Sequence, residues 1–303
     1  MTRRKLKLYL VAPFLVLGLW IVMLGFVPYY IDQMEEMETV GLASIDRAII
    51  AGDLAAVTYW LEKGVDANSS CGYMLGILIN GSTPLMVALN SSYSYSPSPP
   101  SPPSPEIVSL LIENGADVNT IDSVVDKTPL MHALSNPRPG SHSLEIVSLL
   151  LDAGAEVNAC NNNGMTPLMY ALKESSPRSH NPEIVSLLLD AGAEVNASNN
   201  NGSTPLMSAL SDRRPGSHSL EVVSLLLETG AEVNASNNNG STPLMYTSKS
   251  CCPKPEIIML LLDEGADPLA IDKHGNMAFD YIRFNDELQG TEAYKKLQDS
   301  SFK

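Results

Sequence analysis

Cysteine is scarce in this chain: Cys71, Cys160, Cys251 and Cys252 are the four in 303 residues. That is too few for a disulfide framework, and they show no zinc-ligand spacing. The adjacent Cys251 and Cys252 could be bridged only with local strain, so the thiols read as free. Positive charge is also short. Nineteen Lys and Arg stand against 34 Asp and Glu, a formal charge of −15, which repels phosphate backbones and disfavours sequence-independent nucleic-acid binding. The signatures of catalysis are missing as well: there is no G-x-S-x-G elbow, no H-E-x-x-H and no glycine loop to cradle phosphate. No enzyme, cofactor or small-molecule substrate is expected.

One long apolar run is present. After the basic tail of residues 1–7 (Arg3, Arg4, Lys5, Lys7), Leu8 to Val27 carries no charge, and Pro28, Tyr29 and Tyr30 follow. About 20 apolar residues in a helix cross a hydrocarbon core of about 30 Å. Residues 8–30 are therefore read as a transmembrane signal-anchor helix and 31–40 as a linker. Basic flanks stay cytoplasmic, which puts the N-terminus inside and the rest outside, in a bacterial periplasm. The rival is a cleaved signal peptide, although its apolar core spans about 7–15 residues and Met23-Leu24-Gly25 is a poor cleavage site. Cleavage would release a secreted effector or immunity-type protein.

Beyond the linker the chain repeats itself. Glu145 to Leu172 reads E-I-V-S-L-L-L-D-A-G-A-E-V-N-A-C-N-N-N-G-M-T-P-L-M-Y-A-L, and Glu183 to Leu210 and Glu221 to Met245 are near copies. In each T-P-L-M the proline fits a first helical turn and the threonine before it can cap. Second helices start at Ser104-Pro105-Glu106 and Asn181-Pro182-Glu183, with Ser143 and Ser219 as caps in neighbouring copies. Ile184, Leu187 and Leu188 fall on one helical face. Gly115, Gly154, Gly192, Gly230 and Gly265 close the helices. One such unit cannot bury its apolar faces alone, so neighbours must stack.

These marks resemble the ankyrin repeat: T-P-L-H-x-A, a helix ending L-L-x-x-G-A, and V-N before a G-x-T-P turn. The resemblance covers about Gly41 to Leu297 and implies an all-α solenoid of helix–turn–helix repeats with projecting β-turn fingers, here preceded by the transmembrane helix. Residues 41–68 read as an N-terminal capping repeat, 69–268 as central repeats, 269–297 as a C-terminal capping repeat and 298–303 as a tail. The V-N asparagines Asn68, Asn119, Asn158, Asn196 and Asn234 step by 51, 39, 38 and 38, against a usual period of about 33. Central copies have thus gained about five residues between their helices. The first full copy gained more, in the Ser/Pro-rich stretch 91–105 and in an enlarged finger from Ser69 to Ser82. Met86, Met131, Met169, Met207 and Met245 replace the family's histidine, and Asn161, Asn199 and Asn237 replace the finger aspartate.

What the resemblance implies in function is protein binding: a non-catalytic scaffold at a membrane, holding another protein. The variable finger positions carried over by alignment are Asn162, Asn163 and Met165; Asn200, Asn201 and Ser203; and Asn238, Asn239 and Ser241. Asparagine also suits the turns themselves. The insertions bring a second candidate, a basic stripe of Arg138, His142, Arg178, His180, Arg213, Arg214 and His218, on the edge opposite the fingers. A metal ladder through His142, His180 and His218 is disfavoured. Stacked helices sit about 8–10 Å apart, whereas zinc–nitrogen bonds need about 2 Å. The recurring Asp152, Glu156, Asp190, Glu194, Glu228 and Glu232 read as a solvated face. The sequons of the fingers follow from the repeat consensus.

Overall fold

The computed structural model describes residues 42–69, 71–74, 77–89, 104–123, 126–135, 144–173, 181–211, 219–249 and 254–301. The expected membrane segment lies outside them, and among the described residues no helix is long and apolar enough to cross a bilayer. The basic-stripe loops, Ser143, Cys251 and Cys252 also lie outside.

Helices come in pairs. The first pair is α1 (Leu42–Ala51) with α2 (Leu54–Glu62). Next come α3 (Pro84–Leu89) with α4 (Pro105–Glu113), α5 (Pro129–Ser135) with α6 (Leu144–Asp152), and α7 (Pro167–Leu172) with α8 (Pro182–Asp190). The last three are α9 (Pro205–Ala209) with α10 (Leu220–Glu228), α11 (Pro243–Lys249) with α12 (Pro255–Asp263), and α13 (Ala278–Ile282) with α14 (Glu292–Ser301). Each helix packs on its mate and on its counterparts in the adjoining pairs. The core is therefore a strip running the length of a solenoid, not a central globule.

The short first helix of each repeat is almost wholly interior. On α7, Pro167 to Leu172 are all buried, and the five T-P-L-M methionines are fully shielded from solvent. The unbranched thioether fills the space left by the family's histidine. The expected caps form: the N–H of Met169 donates to Thr166 Oγ1 at 3.4 Å, and that of Met207 to Thr204 Oγ1 at 3.3 Å. On the longer second helix, Ser104, Asn181 and Ser219 accept from Ile107, Glu183 and Val222. Its buried face differs slightly from the sequence reading. Ile184, Val185 and Leu188 are interior, while Leu187 is half-buried at the border. Stacking on two neighbours turns the helix so that the i, i+1, i+4 set faces inward.

A second departure is β structure. The enlarged finger folds as an antiparallel hairpin, β1 (Cys71–Met74) with β2 (Ile77–Ser82), pairing Tyr73 with Leu78 and Met74 with Ile77. The hairpin elaborates this one finger, and the array is otherwise the expected all-α solenoid among the described residues. Ile77 and Ile79 favour extended backbone, and the longer finger gives two strands room to pair. At the other end α14 continues to Ser301, past the Leu297 limit read from the sequence, and buries Ala293 and Leu297.

Asparagines join the repeats. The Nδ2 of Asn68, Asn119, Asn158, Asn196 and Asn234 donates to the carbonyls of Gly115, Gly154, Gly192, Gly230 and Gly265, at 2.7 to 3.0 Å. Each Oδ1 takes an N–H two residues beyond that glycine, from Asp117, Glu156, Glu194, Glu232 and Asp267. The V-N mark is thus a clamp between consecutive repeats. Leu269 holds the equivalent position ahead of the last described pair, α13 with α14, and its apolar side chain cannot form the clamp.

Candidate partner-binding surface

The fingers are each built around one asparagine, buried at Asn161 and Asn237 and half-buried at Asn199. Asn161 Oδ1 accepts from the N–H groups of Asn163 and Met165, and Asn161 O from that of Gly164. Asn199 and Asn237 do the same for Asn201 and Ser203, and for Asn239 and Ser241. Asparagine loses nothing as an acceptor here, which explains why it can replace aspartate. Its amide also gains a role as a donor: Asn161 Nδ2 bonds Tyr170 Oη at 2.9 Å, and Asn237 Nδ2 bonds Tyr246 Oη at 3.0 Å. Burial raises the Tyr170 hydroxyl's pKa, partly offset by the bond from Asn161.

The array keeps acidic anchors towards its ends. Asp122 meets His132 Nε2 at 3.1 Å, with both side chains buried. Asp272 accepts from the N–H groups of His274 and Asn276 and from the Tyr281 hydroxyl, with Lys249 Nζ at 3.5 Å. Burial alone would push its carboxyl up. The bonds from Tyr281, Asn276 and His274, with the Lys249 charge, outweigh that and hold it down at about 2.

Successive fingers are sewn together through their main chains. The N–H of Asn200 donates to Asn163 O, that of Asn238 to Asn201 O and that of Lys273 to Asn239 O, at 2.9 to 3.0 Å. Side chains add a second row, Asn200 Nδ2 to Asn162 O at 2.7 Å and Asn238 Nδ2 to Asn200 O at 3.0 Å, while Asn162 Nδ2 bonds the Asp126 carboxylate. The approach is close enough to demand glycine. A Cβ on Gly202, at φ +74, would lie 2.8 Å from Asn238 Oδ1 and 3.0 Å from its nitrogen.

The nine finger residues picked from the sequence therefore divide. Asn162, Asn200 and Asn238 are exposed, but their amides are spent on the neighbouring finger. Ser241 is 5% exposed and takes Lys249 Nζ at 2.9 Å, which removes it from a contact surface. Met165 and Ser203 are half-buried at the finger bases. Asn163, Asn201 and Asn239 remain, exposed and with side-chain amides unengaged. Exposed His274 continues their row. Among the described residues no cluster of three or more His, Cys, Asp or Glu side chains could hold a metal.

The family model for ankyrin repeats in three copies matches residues 100–199 and 176–272, more than half of the chain. This chain belongs to the ankyrin-repeat family. The ankyrin array is also similar to a solved structure, the crystal structure of the ankyrin repeat domain of Bcl-3, titled a unique member of the IkappaB protein family. The two are 24% identical, with a TM-score of 0.57, over 79% of this chain and 97% of that one, a likeness of fold. No curated protein matches the chain by sequence. Ankyrin repeats make protein-interaction domains, so the finger row is a candidate contact surface of a recognised kind.

Sequence reasoning missed the finger network. Its signal was present in the register: the anchors Asn161, Asn237 and Asp272 each precede a tyrosine by the same interval, Tyr170, Tyr246 and Tyr281.

Proposed function

We propose that this chain is a non-catalytic ankyrin scaffold that binds another protein on its finger edge and is fixed to a membrane by residues 8–30. The observation that carries the binding reading is the row of Asn163, Asn201 and Asn239. Their amides are exposed and unengaged on fingers whose backbones are locked to one another. A rigid row of donors and acceptors offers contacts at little ordering cost. The membrane reading rests on the uncharged run Leu8 to Val27 behind Arg3, Arg4, Lys5 and Lys7, with the array on the outer side, in the periplasm of a bacterial cell.

Cys160 supplies the test, because its thiol is free and exposed at the finger side. In a variant whose other cysteines are serine, a membrane-impermeant maleimide should label Cys160 in spheroplasts without lysis. The mature chain should retain residues 1–30 and sediment with membranes. Labelling only after lysis refutes the orientation. A soluble chain lacking its first residues establishes the secreted alternative instead. For the binding edge, crosslinking in the native membrane should trap a partner that the combined Asn163→Ala, Asn201→Ala and Asn239→Ala variant loses. Undiminished capture by that variant refutes the finger reading.

A further inference from the structure

An open groove runs across the second helices of three successive pairs, α6, α8 and α10. Each of these helices repeats one pattern, an exposed glutamate, a half-buried serine and an exposed C-terminal carboxylate: Glu183, Ser186 and Asp190 on α8, and Glu221, Ser224 and Glu228 on α10. The serines are small, so half-buried Leu187 and Leu225 remain uncovered as the groove floor. Leu144 and Leu220 form its rim, 40% and 44% exposed at the first helical position, where α8 has Pro182. The lining ends at α10; Met259 takes the serine's place on α12.

Charge decides what suits this groove. None of α6, α8 and α10 contains a single Lys or Arg. Asp152, Asp190 and Glu228 close them at the C-terminal end, where the helix dipole is negative and repels a carboxylate. These acids therefore weaken their own helices, and among the described residues Asp152 and Asp190 are met only by a serine hydroxyl, from Ser148 and Ser186. Leucines between two rows of carboxylates that pair with no Lys or Arg among the described residues complement a segment that is apolar on one side and cationic on the other.

We infer that this groove docks a cationic amphipathic segment of a partner protein. The apolar side of the segment rests on Leu144, Leu187, Leu220 and Leu225, and its Lys and Arg reach the Glu183–Glu221 and Asp190–Glu228 rows. A second copy of this chain, at −15, brings the wrong sign, and an anionic lipid surface does too. Three outer helices about 8–10 Å apart span about 20 Å, the length of a helix of about 13 residues. The face is separate from the fingers, so the inference stands whether or not the finger reading does.

The test uses the full chain in zwitterionic nanodiscs and, as probe, a fluorescent amphipathic Lys/Leu peptide of that length. With a photoreactive benzophenone side chain at position 186 in place of Ser186, irradiation should give a peptide adduct. The same group in place of Asn201 should give none. The exposed triple variant Glu183→Gln, Glu221→Gln, Leu220→Ser, with circular dichroism unchanged, should weaken peptide binding by roughly tenfold or more. A Glu/Leu peptide of equal length should not bind. Equal adducts at both positions, unchanged affinity in the triple variant, or binding no stronger than to empty discs overturns the inference.

Discussion

Asn196 reaches out of its own repeat to donate its side-chain amide to the carbonyl of Gly230 in the next, at 2.9 Å. The same side chain accepts the N–H of Glu232 at 2.8 Å. One residue thus satisfies two main-chain groups across a repeat boundary. In a linear array, stability is a sum of repeat terms and nearest-neighbour terms, and this clamp belongs to the second kind.

Asn196→Asp is therefore expected to destabilise the array by about 1–3 kcal/mol, since the new carboxylate cannot donate to Gly230 and faces its carbonyl instead. Urea denaturation followed by circular dichroism would measure it, and weakened coupling should also broaden the transition. Leu269→Asn is the control. Leu269 is 50% exposed ahead of the last described pair and makes no side-chain clamp, and its replacement should stay within about 0.5 kcal/mol of wild type. Equal losses at the two positions would remove the clamp from the account.

Glycine serves two different purposes in each repeat, and two substitutions separate them. Gly192 has φ +89, but an added Cβ would meet nothing within 4 Å. Gly192→Ala should thus cost only the left-handed backbone penalty, about 1–2 kcal/mol. At Gly202 the Cβ would also run into Asn238 of the next finger, and the main-chain bond from Asn238 to Asn201 O would have to stretch. Gly202→Ala should cost at least about 1 kcal/mol more than Gly192→Ala. Thermal melts of the two proteins decide this, and a smaller loss at Gly202 would contradict the close finger stacking.

Asp272 ties stability to acid pH. Its carboxyl is lowered from the ordinary 3.8 to about 2 in the folded chain. A depressed folded value favours the native state wherever the unfolded carboxylate is already ionised. The contribution is thus complete above about pH 4 and fades as pH falls towards about 2. Asp272→Asn should flatten that part of the acid unfolding curve and lower stability at neutral pH, where Lys249 and Tyr281 lose their acceptor. Parallel acid titrations that superimpose for the two proteins would count against this network.

Much of the fold is legible in the sequence because it rests on local rules. Thr166 and Thr204 cap where a threonine precedes proline, and the interior strip follows a periodicity repeated almost verbatim. The exceptions are set by neighbours. Leu187 leaves the core because two adjacent repeats decide which way α8 turns. The hairpin at Cys71–Ser82 depends on strand pairing that a helical repeat pattern does not encode. The candidate site was legible as a place more than as a list of residues. Asparagine at the tips fits turn chemistry and recognition equally well, and only the stacked fingers reveal that Asn200 is engaged and Asn201 is not.

Met165 shows how adjacent repeats accommodate each other. In the flanking repeats the anchor amides of Asn161 and Asn237 donate to the hydroxyls of Tyr170 and Tyr246. The repeat between them has Ser208 at the tyrosine position, and the amide of Asn199 turns to the sulfur of Met165, at 3.5 Å. The residue facing Tyr246 is small, since Ser203 stands 3.4 Å from Tyr246 Oη, whereas Lys127 holds that position before Tyr170 and lays its ammonium 5.0 Å from the ring centre. Met165 thus accompanies the small Ser208 on the next helix, and the small Ser203 accompanies Tyr246. Ser208→Tyr alone should destabilise by about 1–3 kcal/mol through overpacking against Met165. Met165→Ser alone should also destabilise, because it opens space and strips the Asn199 amide of its acceptor. The double variant recreates the Ser203–Tyr246 arrangement and should recover most of both losses, a coupling of about 1–3 kcal/mol in a double-mutant cycle. Additive losses, with coupling under about 0.5 kcal/mol, would mean that the two positions do not share one space.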